Sequence, residues 1–331
     1  MSPERSPALL AALLVAWAPR ASAAGVLEPA PEPLDTWSES FTFLADADDG
    51  SYVWAQLSLT NLGPGSGNGS CRVLVFRPNR PAFTARVRVG RPDWRYLAAY
   101  AAYPERLDLP RGRCSAQGGD LPRVRVTLEG RTVELRFAQP FQPFLPPGAE
   151  LALSSGRYRS EVLLPFGAVE VSLSGKDWGT DDHPERLSGV GYADHSRSTV
   201  TPPQLATRWL RFRALRASPR TLLLAREAPD GSFGPVYSWQ EGRPPQQLVR
   251  FSLARSGTEA ATTWRAEVPG AGVLRTVALL HRSAPVQELG VLGVLVRPIV
   301  GSPVTYTYRA VLDAGDGTPL PGVMEVSVEE E

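Results

Sequence analysis

The chain has 331 residues, of which 43% are hydrophobic and 21% charged, so it can bury a large core and is not a disordered polymer. Its 35 basic and 34 acidic residues nearly cancel, and this balance argues against nucleic acid as a partner. At roughly 100–200 residues per domain, the length predicts two domains.

The N-terminal residues have the features of an export signal. The apolar run ALLAALLVAWA (8–18) is too short to span a bilayer, and the small residues ASAA (21–24) supply a cleavage site. We therefore predict a signal peptide over 1–24, cleaved near Ala23 or Ala24, and a periplasmic or secreted protein. A buried or disordered N-terminal segment is the alternative. No later apolar run reaches about 18 residues, so we expect no transmembrane span.

The region that follows alternates apolar and polar residues. Four apolar residues of SYVWAQLSLTN (51–61) share one face: Val53, Ala55, Leu57 and Leu59. The same period recurs at 123–128 and 131–137. A period of two predicts strands with one buried face and one wetted face. Thirty glycines and 32 prolines supply the turns that many short strands require.

The best candidate for a helix is DWRYLAAYAAYPERL (93–107). Its Tyr96, Tyr100 and Tyr103 recur at helical spacing and would form an aromatic stripe. We interpret this stripe as part of the core rather than as a ligand site.

Strand-like segments continue from 206 to 330, and one of them lies at 289–300. Several short strands at regular spacing predict an all-β protein built from antiparallel barrels or sandwiches, not a parallel α/β sheet. The polar, turn-rich stretch 174–189 separates the two halves. We therefore predict an N-terminal domain over 35–178 and a C-terminal domain over 186–331.

The chain has two cysteines, Cys71 and Cys114. In an oxidising compartment they most simply form a disulfide, and two separate buried thiols are the alternative. A zinc site has little support, because the sequence has no CxxC pair and no histidine near either cysteine.

One later strand carries arginines beside an aromatic residue. RWLRFRALR (208–216) places Leu210, Phe212 and Ala214 on one face, and the other face carries Trp209, Arg211, Arg213 and Leu215. Such a face could bind an anionic head group, or it could be a solvated outer face with arginine stems packed over the tryptophan. We favour the solvated face.

The stretch GVGYADHSRST (189–199) concentrates chemically active side chains. Strand alternation sends Tyr192 and Asp194 to one side and His195 to the other. An acid–base site, with Asp194 as proton donor, and a structural staple at the domain junction are both compatible with this pattern. A metal site is a weaker hypothesis, because the spacing of the candidate ligands matches no strong metal-binding pattern. These candidates are Asp181, Asp182, His183, Asp194 and His195.

Two stretches of the sequence carry a resemblance to a known family. GSYVWAQLSLTN (50–61) and GVGYADHS (189–196) in a two-part β chain resemble the lipocalin-like superfamily of carotenoid 1,2-hydratase (hydroxyneurosporene synthase), AttH-type proteins and survival-factor proteins. The superfamily's mid-chain signature is similar to G-x-G-Y-x-D-H-x-W-G. The chain matches it at Gly189, Gly191, Tyr192, Asp194 and His195, and departs from it at Arg197 and Ser198, where Trp and Gly are expected.

This resemblance implies two tandem antiparallel lipocalin-like β-barrels. It implies no single activity, since hydratase members add water to a terminal isoprenoid double bond, related folds catalyse cyclisations or cycloadditions, and others handle lipids without catalysis. A fold can be transferred between such distant relatives more safely than a chemistry can.

Our leading interpretation is an exported protein that binds a hydrophobic small molecule, a lipid or an isoprenoid, in a barrel or at the seam between barrels. The candidate contacts are Trp54, Trp209, Tyr237 and Trp239, with Tyr192, Asp194 and His195 as polar or catalytic groups. The alternative is a hydratase or cyclase that uses Asp194 as proton donor, and a third interpretation is a structural module with filled barrels. We expect no cofactor and no metal, and we leave a peripheral membrane contact open.

Overall fold

The alternating segments form antiparallel sheets in a computed structural model that describes residues 25–62, 65–110, 112–258, 261–284, 286, 301–315 and 317–329. The predicted signal peptide (1–24) and the predicted strand at 289–300 lie outside these residues. No helix within the described ranges is long and apolar enough to cross a membrane.

The first sheet contains twelve strands within the described residues. They are β1 (Ser38–Ala47), β2 (Tyr52–Thr60), β3 (Asn68–Phe76), β4 (Phe83–Val89), β5 (Arg95–Leu97), β6 (Arg106–Leu109), β7 (Cys114–Gln117), β8 (Arg123–Leu128), β9 (Arg131–Phe137), β10 (Glu150–Leu153), β11 (Gly156–Ser174) and β12 (Glu185–Ser198). A 3₁₀ turn, Arg91–Asp93, precedes β5. The order across the sheet is β4-β3-β2-β1-β12-β11-β9-β8-β7-β6-β5, and β10 pairs with β11.

A short helix, α1 (Pro202–Leu205), leads to the second sheet, which has nine strands in the described part of the chain. They are β13 (Arg208–Ala214), β14 (Thr221–Glu227), β15 (Phe233–Gln240), β16 (Gln246–Gln247), β17 (Ser252–Ser256), β18 (Thr263–Val268), β19 (Gly272–Ser283), β20 (Pro303–Asp313) and β21 (Leu320–Glu329). Their order is β16-β15-β14-β13-β21-β20-β19-β18-β17. Each sheet curls around its own core, so the prediction of two tandem lipocalin-like barrels is confirmed.

The chain passes between the sheets later than the predicted domain boundary. Strand β12 pairs with β1 on one side and with β11 on the other, so it is an internal strand of the first barrel. The polar stretch that we interpreted as a linker contains the turn of the long β11–β12 hairpin. The crossing falls between Ser198 and Arg208 instead. A hairpin turn and a domain linker have the same polar composition, and only strand pairing distinguishes them.

Each barrel buries the apolar face that strand alternation predicts. Val53, Ala55, Leu57 and Leu59 are completely buried in the first barrel, where they pack with residues such as Phe41. In the second barrel the alternate residues Leu210, Phe212 and Ala214 of β13 are equally buried, together with residues such as Tyr306 and Met324.

The two barrels meet through their outer faces. A third apolar cluster joins them, with members on both sheets: Leu44, Tyr52, Leu74, Val162, Tyr192, Leu215, Leu222, Leu280 and Val323. At one end of this seam, Arg309 donates a hydrogen bond of 2.8 Å to Asp46, and Arg216 donates one of 2.5 Å to the carbonyl of Ala47. Apolar packing and charged hydrogen bonds therefore hold the barrels together at the seam.

The predicted helix over 93–107 is wrong. The segment forms β5, a turn and the start of β6, with a bridge between Tyr100 and Tyr103. These two tyrosines are 80% and 76% exposed, so they do not belong to the core. Pro104 interrupts the helical pattern, and pairing between Arg95–Leu97 and Arg106–Leu109 satisfies the backbone instead.

The predicted disulfide is confirmed, because Cys71 and Cys114 are bonded and fully buried. The bond joins β3 to β7, which are not neighbours in the sheet. It therefore ties together two parts of the first barrel that no backbone hydrogen bond connects directly.

Removing this disulfide should lower stability. The bond closes a loop with a sequence separation of 43 residues. For a loop of this size, the chain-entropy model predicts a loss of about 3–4 kcal/mol of unfolding free energy in Cys71→Ala/Cys114→Ala. Denaturant unfolding of the double variant and the wild type measures the difference. Equal midpoints and slopes would contradict a stabilising role for the bond.

Candidate functional site at the seam between the barrels

A cavity of about 480 Å³ lies at the seam. Polar and charged side chains from both barrels line much of it, including Thr42, Asp194, Arg211, Arg213, His281 and Glu325. Trp54 and Leu224 contribute apolar surface. The cavity is therefore a polar chamber between two barrels, and neither barrel encloses it alone.

Strand alternation places two predicted site residues in the lining of this cavity. Tyr192 and Asp194 lie on the outer face of β12 and line the chamber, whereas Ala193 between them is packed in the core of the first barrel. The register of β12 against β1 places Asp194 beside Thr42, which lines the same chamber. Tyr192 and Asp194 therefore border the same cavity.

The glycines of the motif allow close packing around this strand. A Cβ at Gly191 would lie 2.6 Å from a ring carbon of Phe137, and a Cβ at Gly189 would lie 2.4 Å from the carbonyl oxygen of Asp46. Both distances are too short for a side chain. Glycine at these positions is explained by close approach of neighbouring atoms and not by a positive φ angle.

A buried arginine organises the charges of the site. The Arg213 Nη1 atom donates a hydrogen bond of 2.7 Å to Glu325 Oε2, and its Nη2 atom lies 3.8 Å from Asp194 Oδ2. The guanidinium also stacks over the ring of Tyr192, with 4.6 Å between its central carbon and the ring centroid. Arg213 thus holds two carboxyl groups and the tyrosine in one cluster.

The two carboxyl groups of this cluster titrate in opposite directions. Burial raises the pKa of Asp194, and the nearby Arg213 and Arg211 only partly offset this effect. Burial also acts to raise the pKa of Glu325, but the charges of Arg213 and Arg211 outweigh it, so that pKa is lowered. Paired carboxyl groups whose environments separate their pKa values are typical of sites in which one is the acid and the other stays ionised.

This shift predicts how stability depends on pH. Because the pKa of Asp194 is higher in the folded protein than the ordinary value of 3.8, ionising the group costs folding free energy. The cost is absent below pH 3.8 and is complete above the folded pKa. The unfolding free energy of Asp194→Asn should therefore increase relative to that of the wild type as pH rises from about 4. Denaturant unfolding across this range measures the gain, and a constant difference would contradict the shift.

His195 lies apart from Tyr192 and Asp194. Its ring faces the interior of the first barrel, where Nε2 is 2.6 Å from Glu39 Oε1 and the ring stacks on Phe41 with centroids 4.1 Å apart. The other oxygen of Glu39 accepts a hydrogen bond of 2.9 Å from the backbone nitrogen of Ala30. These contacts lie within the first barrel and not between the two barrels, and they place His195 outside the cavity.

The four predicted aromatic contacts have different locations. Trp54 lines the seam cavity. Trp209 lines an adjoining cavity of about 380 Å³ and packs against Tyr158, with ring centroids 5.6 Å apart. Tyr237 is buried, and Trp239 packs on Phe144 with centroids 4.9 Å apart; neither residue lines the two cavities.

Sequence reasoning missed the roles of Arg213 and Glu325. We expected the face of β13 that carries Arg213 to be solvated, but this arginine is 4% exposed because that face meets the first barrel. Glu325 interrupts the apolar segment GVMEVSV on β21, and a charge at such a position is a signal that could have identified it. The docking of the two barrels makes both residues part of the site.

The residues that we weighed for a metal site do not form one. Within the described ranges, no three or more His, Cys, Asp or Glu side chains come together in a group that could hold a metal ion. Asp181 instead accepts a hydrogen bond of 2.7 Å from Ser174.

Solved structures share this fold. A protein from Nitrosomonas europaea described as an AttH is 12% identical, with a TM-score of 0.61 over 93% of this chain and 99% of that one. Kievitone hydratase from Nectria haematococca is 11% identical, with a TM-score of 0.55 over 89% of each chain. The protein CghA, solved with Sch210972, is 12% identical, with a TM-score of 0.59 over 89% of each chain.

No protein-family model matches this chain, and no curated protein matches its sequence. The solved structures show that the fold is that of the AttH and hydratase-type lipocalin-like proteins, as the motif-based resemblance predicted. At 11–13% identity, the likeness concerns the fold alone.

Proposed function

We propose that this protein is an enzyme of the hydratase or cyclase type, which acts on a small molecule in the seam cavity with Asp194 as proton donor. One observation carries the proposal: a carboxyl group with a raised pKa lines a cavity next to a second carboxylate with a lowered pKa. An acid with a raised pKa can hold its proton until a substrate needs it.

The reaction begins with the transfer of the Asp194 proton to one carbon of a carbon–carbon double bond. The π electrons form the new C–H bond, and the other carbon becomes a cation. Either water adds to that carbon and returns a proton to the Asp194 carboxylate, or a nucleophilic group of the same molecule closes a ring and loses the proton. In both cases Asp194 is protonated again and no redox partner is needed.

The neighbouring side chains suit the intermediate. Trp54 and the ionised Glu325 line the same cavity, and an aromatic ring and a carboxylate favour a positive charge, against the opposing charges of Arg211 and Arg213. The hydroxyl of Tyr192 lies within hydrogen-bonding reach of the Asp194 carboxyl. We assign Tyr192 the role of positioning that carboxyl.

The composition of the cavity favours this enzyme over our leading interpretation of a lipid carrier. Carriers of hydrocarbon ligands surround them with apolar side chains. The seam cavity instead presents arginine, carboxyl, hydroxyl and amide groups, including Arg213, Glu325, Thr42 and Gln56. A kievitone hydratase among the proteins of this fold is a further supporting observation, at the level of fold only.

An isotope screen tests the proposal. Wild-type protein is incubated with a metabolite extract of its own host in H₂¹⁸O and separately in D₂O, and products are found by untargeted mass spectrometry. A hydratase should produce a compound that carries ¹⁸O in the first incubation and one carbon-bound deuterium in the second. A cyclase should produce an isomer that carries deuterium only. No converted compound in extracts from several growth conditions would overturn the proposal.

We also propose that the mature protein is exported. The leader-like sequence at 1–24 and the disulfide between Cys71 and Cys114 support this location, because disulfides persist in oxidising compartments. N-terminal sequencing of protein from the host's periplasm and medium should find a start near Gly25. Full-length protein confined to the cytoplasm would contradict export.

A further inference from the structure

Arg211 lies at the junction of the two seam cavities. Its side chain lines both of them, as do those of Tyr158 and Ser196. The second cavity extends from this junction along an apolar wall formed by Val200, Pro202, Leu205, Trp209 and Val328. The two cavities therefore form an elongated space, polar around Asp194 and more apolar at the other end.

The guanidinium of Arg211 is stacked on an aromatic ring and, among the described residues, not ion-paired, although its charge also acts on the carboxyl groups of Asp194 and Glu325. Its central carbon lies 4.7 Å from the ring centroid of Trp209, so one face of the group is stacked. No carboxylate in the described part of the chain lies within ion-pair distance of it. This differs from Arg213, which is engaged by Glu325 and Asp194. A stacked arginine leaves the N–H groups at its edge available to an anion.

The two acidic residues next to the second cavity have carboxylates that are engaged by other partners, and that of Glu39 is fully buried. Glu39 contacts His195 and the backbone of Ala30. Glu329 accepts a hydrogen bond of 2.7 Å from the backbone nitrogen of Ser302. Their positions do not place a competing carboxylate on Arg211.

We infer that the substrate is an elongated molecule with one anionic oxygen group, such as a carboxylate, which Arg211 binds at the junction while the apolar part lies along Trp209 and Leu205. This inference rests on the proposed function, because it names the substrate class of the same site. An anion on Arg211 would also offset the positive charge that acts on the nearby Asp194 and would favour its protonated form.

A matched pair of fluorescent dyes tests the inference. 1-Anilinonaphthalene-8-sulfonate and N-phenyl-1-naphthylamine share the arylamine core and differ by one sulfonate. Arg211→Met keeps most of the side-chain volume and removes the charge. It should weaken binding of the sulfonate dye roughly 10- to 100-fold, the range for a charge-assisted hydrogen bond, and change binding of the neutral dye less than about twofold. Unchanged neutral-dye binding shows that the cavity is intact in the variant.

Arg208→Met is the matched control, because it removes a charge from the same strand outside both cavities. It should leave both affinities unchanged. Decanoate should displace the sulfonate dye from the wild type at lower concentration than decan-1-ol does. Equal effects of Arg211→Met on the two dyes, no effect on either, or the absence of one-to-one binding by the wild type would overturn the inference.

The dye result is independent of the proposed chemistry. Asp194→Asn should still bind the sulfonate dye, since the anion contacts Arg211 and not the carboxyl. If Arg211→Met binds both dyes alike while Asp194→Asn abolishes conversion in the isotope screen, the inference fails and the proposed function stands. If Asp194→Asn converts the substrate at the wild-type rate, the proposed function fails whatever the dyes show.

Discussion

Replacing Asp194 with asparagine should reduce the rate of product formation about 100-fold or more, which is the lower end of what a general acid contributes. The amide keeps the size of the side chain and its place beside Arg213, but it cannot donate a proton to carbon. Substrate affinity should change much less than the turnover rate, because the loss concerns the transition state. Steady-state kinetics on the compound found in the isotope screen measures both quantities.

Asp182→Asn is the matched control for this variant. It makes the same chemical change at an exposed residue outside both cavities, so its rate should equal that of the wild type. An Asp194→Asn variant that retains the wild-type rate would remove this carboxyl from the mechanism. A loss confined to substrate affinity would assign it a binding role instead.

Removing the buried arginine of the seam should have a large effect on the stability of the protein. Arg213→Met should destabilise the protein by about 3–5 kcal/mol, because it leaves the buried Glu325 without its partner. The side chains of Arg213 and Glu325 are only 5% and 10% exposed, so the variant would leave Glu325 as a largely buried charge without its ion-pair partner. Denaturant unfolding at pH 7 measures the change in unfolding free energy.

A double variant separates the ion pair from simple packing. Arg213→Met/Glu325→Gln removes both charges, so its destabilisation should be smaller than the sum for the two single variants. Residues in direct contact differ from additivity by about 0.5–3 kcal/mol. Additive effects would mean that the two side chains stabilise the seam independently of each other.

Local patterns in the sequence predicted most of the strands and their faces. Alternation alone placed Leu57 in the first core, Leu210 in the second core, and Tyr192 and Asp194 on the side opposite His195. These features depend on a period of two, which any single strand contains. The cysteine pairing could also be predicted, because the sequence offers only one pair in a chain with an export-like leader.

The site as a whole could not be predicted in this way. Glu325 is 112 residues from Arg213, and both reach Asp194 only because the outer faces of two barrels pack together. An outer face that packs on another barrel and an outer face in water can carry the same polar residues, so alternation cannot distinguish them. For the same reason Arg213 was assigned to solvent. The position of β12 in the first sheet is a separate case, because only its pairing with β1 shows to which sheet it belongs.

The proposed reaction depends on a protonated Asp194 at the seam. The most direct test is an infrared pH titration of the wild type, with Asp194→Asn as the reference spectrum. We expect the C=O band of a protonated carboxyl group to persist above the ordinary aspartate pKa of about 3.9 and to be absent from the variant. A band that loses half of its intensity at or below that pH would contradict a raised pKa for Asp194.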